Sequence, residues 1–62
     1  MKVKIIFSGN SIYNKEGIKG ETFTKTKKVY YNYNKSNKIT IEEEKEAYMY
    51  NINDIQVFEI TE

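Results

Sequence analysis

The opening residues of the chain alternate between polar and apolar side chains, which is the pattern of a half-buried β-strand. In the segment KVKIIF, the side chains of Val3, Ile5 and Phe7 would share one face of an extended strand. Successive side chains of a strand point to opposite faces, so such a strand buries one side and exposes the other. The pattern predicts a first strand at residues 2–8 and, because it returns later in the chain, an all-β fold.

The middle of the chain contains two further stretches of strand-forming residues. The stretch between the first strand and Gly20 has no sustained period and predicts a long loop or an irregular hairpin. Residues 21–33 are rich in threonine, valine and tyrosine, which suit a pleated surface, and predict one long or bent strand, or two strands joined near residue 27. A polar turn at 34–37 and renewed alternation at 38–42 then predict a hairpin.

The last third of the chain permits two interpretations. The glutamates and lysine of residues 42–46 would suit the start of a helix. The near-alternate β-formers that follow favour instead a tight turn and a strand at 46–51. Residues 51–54 predict a short turn or a single 3₁₀ turn, and residues 55–61 predict a last strand. The apolar positions of that strand change parity between Val57 and Phe58, which predicts a bulge or burial of both sides of the strand.

The end of the chain resembles the SH3-like and Sm-like small β-barrels. The resemblance depends on residues 47–57, AYMYNINDIQV, where strand, single turn and strand follow one another. It implies a small five-stranded antiparallel barrel or a strongly bent sheet, with a long loop after strand 1 and a single turn before the last strand. We expect residues 1–62 to form one small β domain. The Ala-Leu-Tyr-Asp-Tyr opening of peptide-binding SH3 domains and the Sm glycine-asparagine signature are missing, so the resemblance assigns no functional residue.

The predicted core consists of residues that face inward on the predicted strands. They are Ile5, Phe7, Val29, Ile41, Met49 and Val57. A domain of this size buries only about 60% of the surface that its unfolded chain exposes, so we expect marginal stability. The 62 residues include no cysteine and no histidine, which removes disulfides and the usual zinc sites as stabilising elements. An aromatic core, oligomerisation or binding of a partner remains.

The absence of cysteine and histidine also limits the chemistry. Thiol nucleophiles, imidazole bases and the usual transition-metal ligands are unavailable, so we predict no enzymatic activity and no cofactor. The glutamates of residues 42–46 are expected in a solvated turn, with weak cation binding as the alternative. We expect no targeting or membrane-spanning segment, because the first apolar run is interrupted at Lys4 and ends at Ser8, and the cytoplasm is the default location.

The charges of the chain are segregated along the sequence. Residues 1–38 carry nine lysines and two glutamates, a net charge of +7, whereas residues 39–62 carry one lysine and seven acidic residues, a net charge of −6. The two halves could form separate charged surfaces. Alternatively, lysine-rich and glutamate-rich strands pair as neighbours and neutralise each other.

Aromatic residues interleaved with lysines suggest a nucleic-acid surface. Exposed rings stack on the bases of single strands while amines follow the phosphates. The residues concerned are Lys25, Lys27, Lys28, Tyr30, Lys35 and Lys38. The net charge of only +1 and the lack of arginine count against this hypothesis, because nucleic-acid-binding domains are usually strongly basic.

Tyrosines with an acidic rim suggest a protein surface, since tyrosine offers rigid contact area and a hydroxyl group. The residues concerned are Glu44, Glu46, Tyr48, Tyr50 and Asp54. Our leading hypothesis is a non-enzymatic protein-binding module. Its lysine-, asparagine- and isoleucine-rich composition suits a small regulator or inhibitor from a phage or mobile element of an AT-rich bacterium. A homo-oligomeric structural subunit is a third hypothesis, because open strand edges can join copies.

Overall fold

The computed structural model describes residues 1–32 and 37–62 and shows an all-β chain with little helix. The strands are β1 (Lys2–Phe7), β2 (Gly20–Phe23), β3 (Lys28–Asn32), β4 (Lys38–Glu42), β5 (Ala47–Asn51) and β6 (Ile55–Thr61). A short helix, α1 (Ile12–Lys15), follows β1, and a single 3₁₀ turn (Ile52–Asp54) precedes β6. The predicted turn at 34–37 lies outside the described residues except for Asn37.

The strands form two antiparallel sheets of three strands each, in the orders β2-β1-β6 and β3-β4-β5. The all-β prediction is therefore confirmed, and the helix considered for residues 42–46 is wrong. The Glu43 N–H instead donates to the Glu46 carbonyl oxygen at 2.8 Å, which closes the turn between β4 and β5.

A closed five-stranded barrel is not found, because no strand of one sheet pairs with a strand of the other within residues 1–32 and 37–62. The reason lies in the predicted strand at 21–33. Its two halves, β2 and β3, belong to different sheets and are separated by four residues. In the connection between β2 and β3, the Thr26 N–H donates to the Met1 carbonyl and the Lys27 N–H donates to the Glu42 carbonyl. These hydrogen bonds hold the connection against both sheets.

The core lies between the inner faces of the two sheets. The alternation of β1 holds, since Val3, Ile5 and Phe7 are each at most 1% exposed. Phe23 of β2 and Ile41 of β4 complete the fully buried cluster. Side chains that are only partly buried pack around it: Tyr13, Val29, Tyr48, Tyr50, Ile55 and Phe58.

Three of the six predicted core residues are not fully buried, and Met49 is the largest error. Met49 is 60% exposed, because β5 turns Tyr48 and Tyr50 inward and leaves Met49 opposite Thr40 on the outer face. Val29 is only half-buried on the edge strand β3. Val57 is half-buried and faces outward opposite Ile6.

The predicted irregularity of the last strand is present, but it lies earlier than expected. Phe7 pairs with Ile55 while Ile6 pairs with Val57, so Gln56 is an extra residue on β6. A bulge of this kind changes which face the following side chains occupy. It therefore brings both Ile55 and Phe58 to the core side of the strand.

The long loop after β1 folds back over the core through α1. The Ser11 side chain accepts a hydrogen bond from the Asn14 N–H at 3.1 Å and caps the start of the helix. Gly17, with a φ of +90°, ends the helix, since the left-handed conformation favours glycine there. The Tyr13 ring then stacks on Phe7 with the ring centroids 4.4 Å apart.

Candidate functional site

An open cleft of about 320 Å³ separates β2 from β5. It brings together residues of two segments that are 18 or more positions apart in the sequence. Its aromatic lining is Phe23, Tyr48 and Tyr50, and its polar lining is Glu21, Thr22, Thr24, Lys25 and Glu43. We call this site the β2–β5 cleft.

The three rings of the β2–β5 cleft contact one another at inclined angles. The centroid of Phe23 lies 5.1 Å from that of Tyr48, with 42° between the planes, and 6.2 Å from that of Tyr50, with 58° between the planes. Both tyrosines are half-buried, whereas Phe23 is buried. Aromatic pairs at such distances and tilts are favourable, so the rings are held in place by each other as well as by the core.

Carboxylates surround these rings. Glu21 lies on the same side of β2 as Phe23, because the two residues are two positions apart in the strand, but Glu21 is exposed whereas Phe23 is buried. The Tyr48 hydroxyl donates a hydrogen bond to the Glu46 carboxylate, which raises the pKa of Tyr48. Burial, followed by the nearby charge of Glu21, raises the pKa of Tyr50 to about 12. The negative field of Glu21 therefore reaches both tyrosines.

The structure brings together only part of the predicted protein-contact site. Tyr48, Tyr50 and Glu46 lie at the β2–β5 cleft or directly beside it. Glu44 is on the exposed turn, with its carboxylate 3.9 Å from the Lys27 amine. Asp54 lies beyond the far end of β5, a strand of five residues or about 16 Å, where its carbonyl accepts a hydrogen bond from Ser8.

Five residues of the β2–β5 cleft were not among the predicted site residues: Glu21, Thr22, Phe23, Thr24 and Glu43. Phe23 and Glu21 occupy alternate positions of β2, so the side of the strand that they share can be predicted once β2 is known to pair with β1. The proximity of these two residues to β5 cannot be predicted from the sequence, because it depends on how the two sheets pack. The sequence predicts a solvated turn for Glu43, and it gives no signal for the cleft.

The predicted nucleic-acid residues are also divided between places. Lys28 and Tyr30 share the outer face of the second sheet, and the Lys28 amine lies 5.1 Å from the centroid of the Tyr30 ring. Lys38 is half-buried on the same face, opposite Asn32. Lys25 and Lys27 are exposed near the acidic turn instead. Lys35 lies outside the described residues.

A lysine lies opposite a glutamate of the neighbouring strand at two positions of the described sheets. Lys4 of β1 is opposite Glu59 of β6, and Lys28 of β3 is opposite Glu42 of β4. Opposite charges across a strand pair stabilise the sheet modestly. At these positions the charge segregation of the sequence becomes pairing between neighbours, as the second interpretation of the charges expects.

Other kinds of site find no support in the part of the chain that the structure describes. Within residues 1–32 and 37–62, no three acidic side chains are grouped so that they could hold a metal ion. No helix in the same ranges is long and apolar enough to cross a membrane. The β2–β5 cleft therefore carries the functional argument.

Comparisons with known proteins do not assign the chain to a family. No family model, characterised protein or solved structure matches it.

Proposed function

We propose that this chain is a non-enzymatic protein-binding module that contacts its partner through the β2–β5 cleft. The observation that carries the proposal is the presence of two half-exposed tyrosine rings, Tyr48 and Tyr50, beside carboxylates in an open concave surface. Buried aromatic anchors surrounded by a polar rim are typical of protein interfaces. The site residues are those of the predicted acidic and aromatic surface, without Glu44 and Asp54 and with Phe23 and Glu21 added.

The composition supports a small regulator or inhibitor from a mobile element of an AT-rich bacterium as the biological setting. The order of elements supports an SH3-like architecture that is opened into two sheets. The chain runs through a strand, a long loop with a short helix, a bent pair of strands, two further hairpin strands, a 3₁₀ turn and a last strand.

The test is capture of partners from a lysate of the native host on the immobilised protein, with and without nuclease. We expect one stoichiometric protein that survives nuclease and is lost with Tyr48→Ala. Tyr48 is the residue to change, because its one ring contact among the described residues is with Phe23. Truncation of a central aromatic anchor commonly costs about 2 kcal/mol or more of binding free energy, roughly a 30-fold loss.

The matched control is Met49→Ala. Met49 is adjacent to Tyr48 in β5 but is exposed on the opposite face of the sheet, so its truncation should leave the capture unchanged. Circular dichroism of each variant checks that the fold is retained. Equal loss of the captured protein in both variants, or no loss in either, would refute the cleft as the contact site.

A single-stranded nucleic-acid binder is the second candidate, and the Lys28–Tyr30 pair favours it. An exposed ring beside an amine is the arrangement that stacks a base and contacts a phosphate. In the same capture experiment this function predicts retention that nuclease removes, that weakens steeply as salt rises, and that Tyr30→Ala and Lys28→Glu abolish. Tyr48→Ala would then have no effect.

A homo-oligomeric subunit is the third candidate, and the strand edges favour it. β2 and β6 flank the first sheet, and β3 and β5 flank the second, with no further strand paired outside them in the described ranges. Unpaired edges can join copies of a chain. Sedimentation of the purified protein at several concentrations separates this function from the first two, because it predicts a mass that rises with concentration.

A further inference from the structure

The chemistry of the β2–β5 cleft points to the kind of group that it receives. Two carboxylate side chains, Glu21 and Glu43, line the cleft with the rings, and one amine, Lys25, opposes them. Glu46 adds a third carboxylate, hydrogen-bonded to the Tyr48 hydroxyl. The charge at the rings is therefore negative, although the chain as a whole has a net charge of +1.

The ring geometry adds a second attraction for a cation. Phe23 and Tyr48 are tilted by 42°, and Phe23 and Tyr50 by 58°, so the rings do not lie in one plane. A cation within about 6 Å of a ring centroid is attracted by the negative face of the ring, and the attraction grows as water is excluded. Carboxylates next to aromatic rings combine both sources of attraction at one place.

The size of the β2–β5 cleft limits the ligand. Its volume of about 320 Å³ is at the lower end of the roughly 300–1,000 Å³ that is usual for ligand sites. A long, flexible side chain with an apolar stem and a charged head suits a cleft that has aromatic walls and an acidic rim.

We propose that the β2–β5 cleft binds one arginine or lysine side chain of the protein partner. The stem lies against Phe23 and Tyr48, and the cationic head is paired with Glu21. This inference rests on the proposed function and names the chemistry of the contact. Lys25 is the chain's own cation at the cleft, so it competes with the incoming side chain.

The test uses nuclear magnetic resonance of the labelled full chain. Three capped pentapeptides are titrated: one with a single arginine among glycines, one with a single lysine, and one with the neutral analogue citrulline. We expect the cationic peptides to shift the ring resonances of Phe23, Tyr48 and Tyr50, and the shifts to decrease as salt rises. The citrulline peptide should leave them in place.

Variants that each remove one charge then test which residues of the cleft interact with the cationic side chain. Glu21→Gln should weaken binding of the arginine peptide about threefold, and Lys25→Ala should strengthen it about twofold, as expected for partly exposed ion pairs. Glu16→Gln is the matched control, because Glu16 is exposed at the end of α1 and does not line the cleft. The amide spectrum of each variant shows whether the fold is retained.

Two results would overturn the inference. The citrulline peptide could shift the same rings as strongly as the arginine peptide, or Glu21→Gln could bind the arginine peptide as well as the unchanged protein does. Either result would leave capture that depends on Tyr48 untouched, so failure of the cation proposal is distinguishable from failure of the protein-binding function.

Discussion

The Thr40 side chain offers a direct test of the packing of the second sheet. Thr40 lies in the central strand β4, between Tyr30 of β3 and Met49 of β5, and is only 2% exposed. Its hydroxyl oxygen Oγ1 has no hydrogen-bond partner among the residues that the structure describes. The outer face of this sheet therefore buries a polar atom that its neighbours do not satisfy.

The size of the effect follows from the chemistry of that hydroxyl. Burial of a hydroxyl group without a hydrogen bond costs about 1–3 kcal/mol. Valine keeps the branched shape and the strand preference of threonine but has no polar atom. We therefore expect Thr40→Val to raise the free energy of unfolding by about 1 kcal/mol, which for a domain of this size raises the melting temperature by about 4–8 °C.

The assay is thermal and urea unfolding of the purified variants, followed by circular dichroism. Thr26→Val should change stability in the same direction, because Thr26 is 4% exposed and its Oγ1 is also without a partner in the described ranges. Thr22 is at an exposed position of β2, so the free energy of unfolding of Thr22→Val should stay within about 0.5 kcal/mol of that of the unchanged protein. A loss of stability in Thr40→Val would refute the reasoning, since it would mean that the hydroxyl is hydrogen-bonded, for example to a buried water molecule.

Two further predictions follow from the first sheet and from the β2–β5 cleft. A Cβ at Gly20 would collide with the carbonyl oxygen of Ile5, so Gly20→Ala should lower the free energy of unfolding by about 1–3 kcal/mol, whereas Gly9→Ala, with open space around it, should not lower it. The pKa of Tyr50 is raised from 10.0 to about 12 on folding, so its contribution to stability is complete below pH 10 and is lost as the pH rises to about 12. Absorbance titration should show one tyrosine that ionises at about pH 12, and this step should be missing in Tyr50→Phe; an unchanged titration would contradict the burial of Tyr50.

Local sequence patterns were sufficient to predict the positions of most of the strands, because each strand has its own alternation of polar and apolar residues. The predicted strand at 38–42 has the observed bounds of β4, and the predicted single turn before the last strand is present. The division of residues 21–33 between two sheets was not readable, since both halves have strand-forming composition and only tertiary packing decides where the chain bends. The position of the bulge at Gln56 depended in the same way on the register with β1.

The candidate site was less predictable than the fold, because parity within a strand does not say which face is buried. For β5, the apolar Met49 was assigned to the core, and the structure places its tyrosine neighbours there instead. Tyrosine can fill a core edge while its hydroxyl reaches solvent, so the chain has no need to bury Met49. The position of Glu21 at the cleft could likewise be predicted only with knowledge of how the two sheets pack.

Tyr48 and Tyr50 have different structural roles, and this difference connects binding to stability. The Tyr50 ring lies 5.6 Å from that of Phe7 and 5.7 Å from that of Tyr13, so it belongs to the core as much as to the cleft. The Tyr48 ring contacts Phe23 at the cleft itself. So small a domain has too few residues to cover these rings fully, which is why they remain half-exposed. If the proposed partner covers the cleft and binds only the folded chain, we expect it to complete the packing around these rings and to raise the stability of the chain.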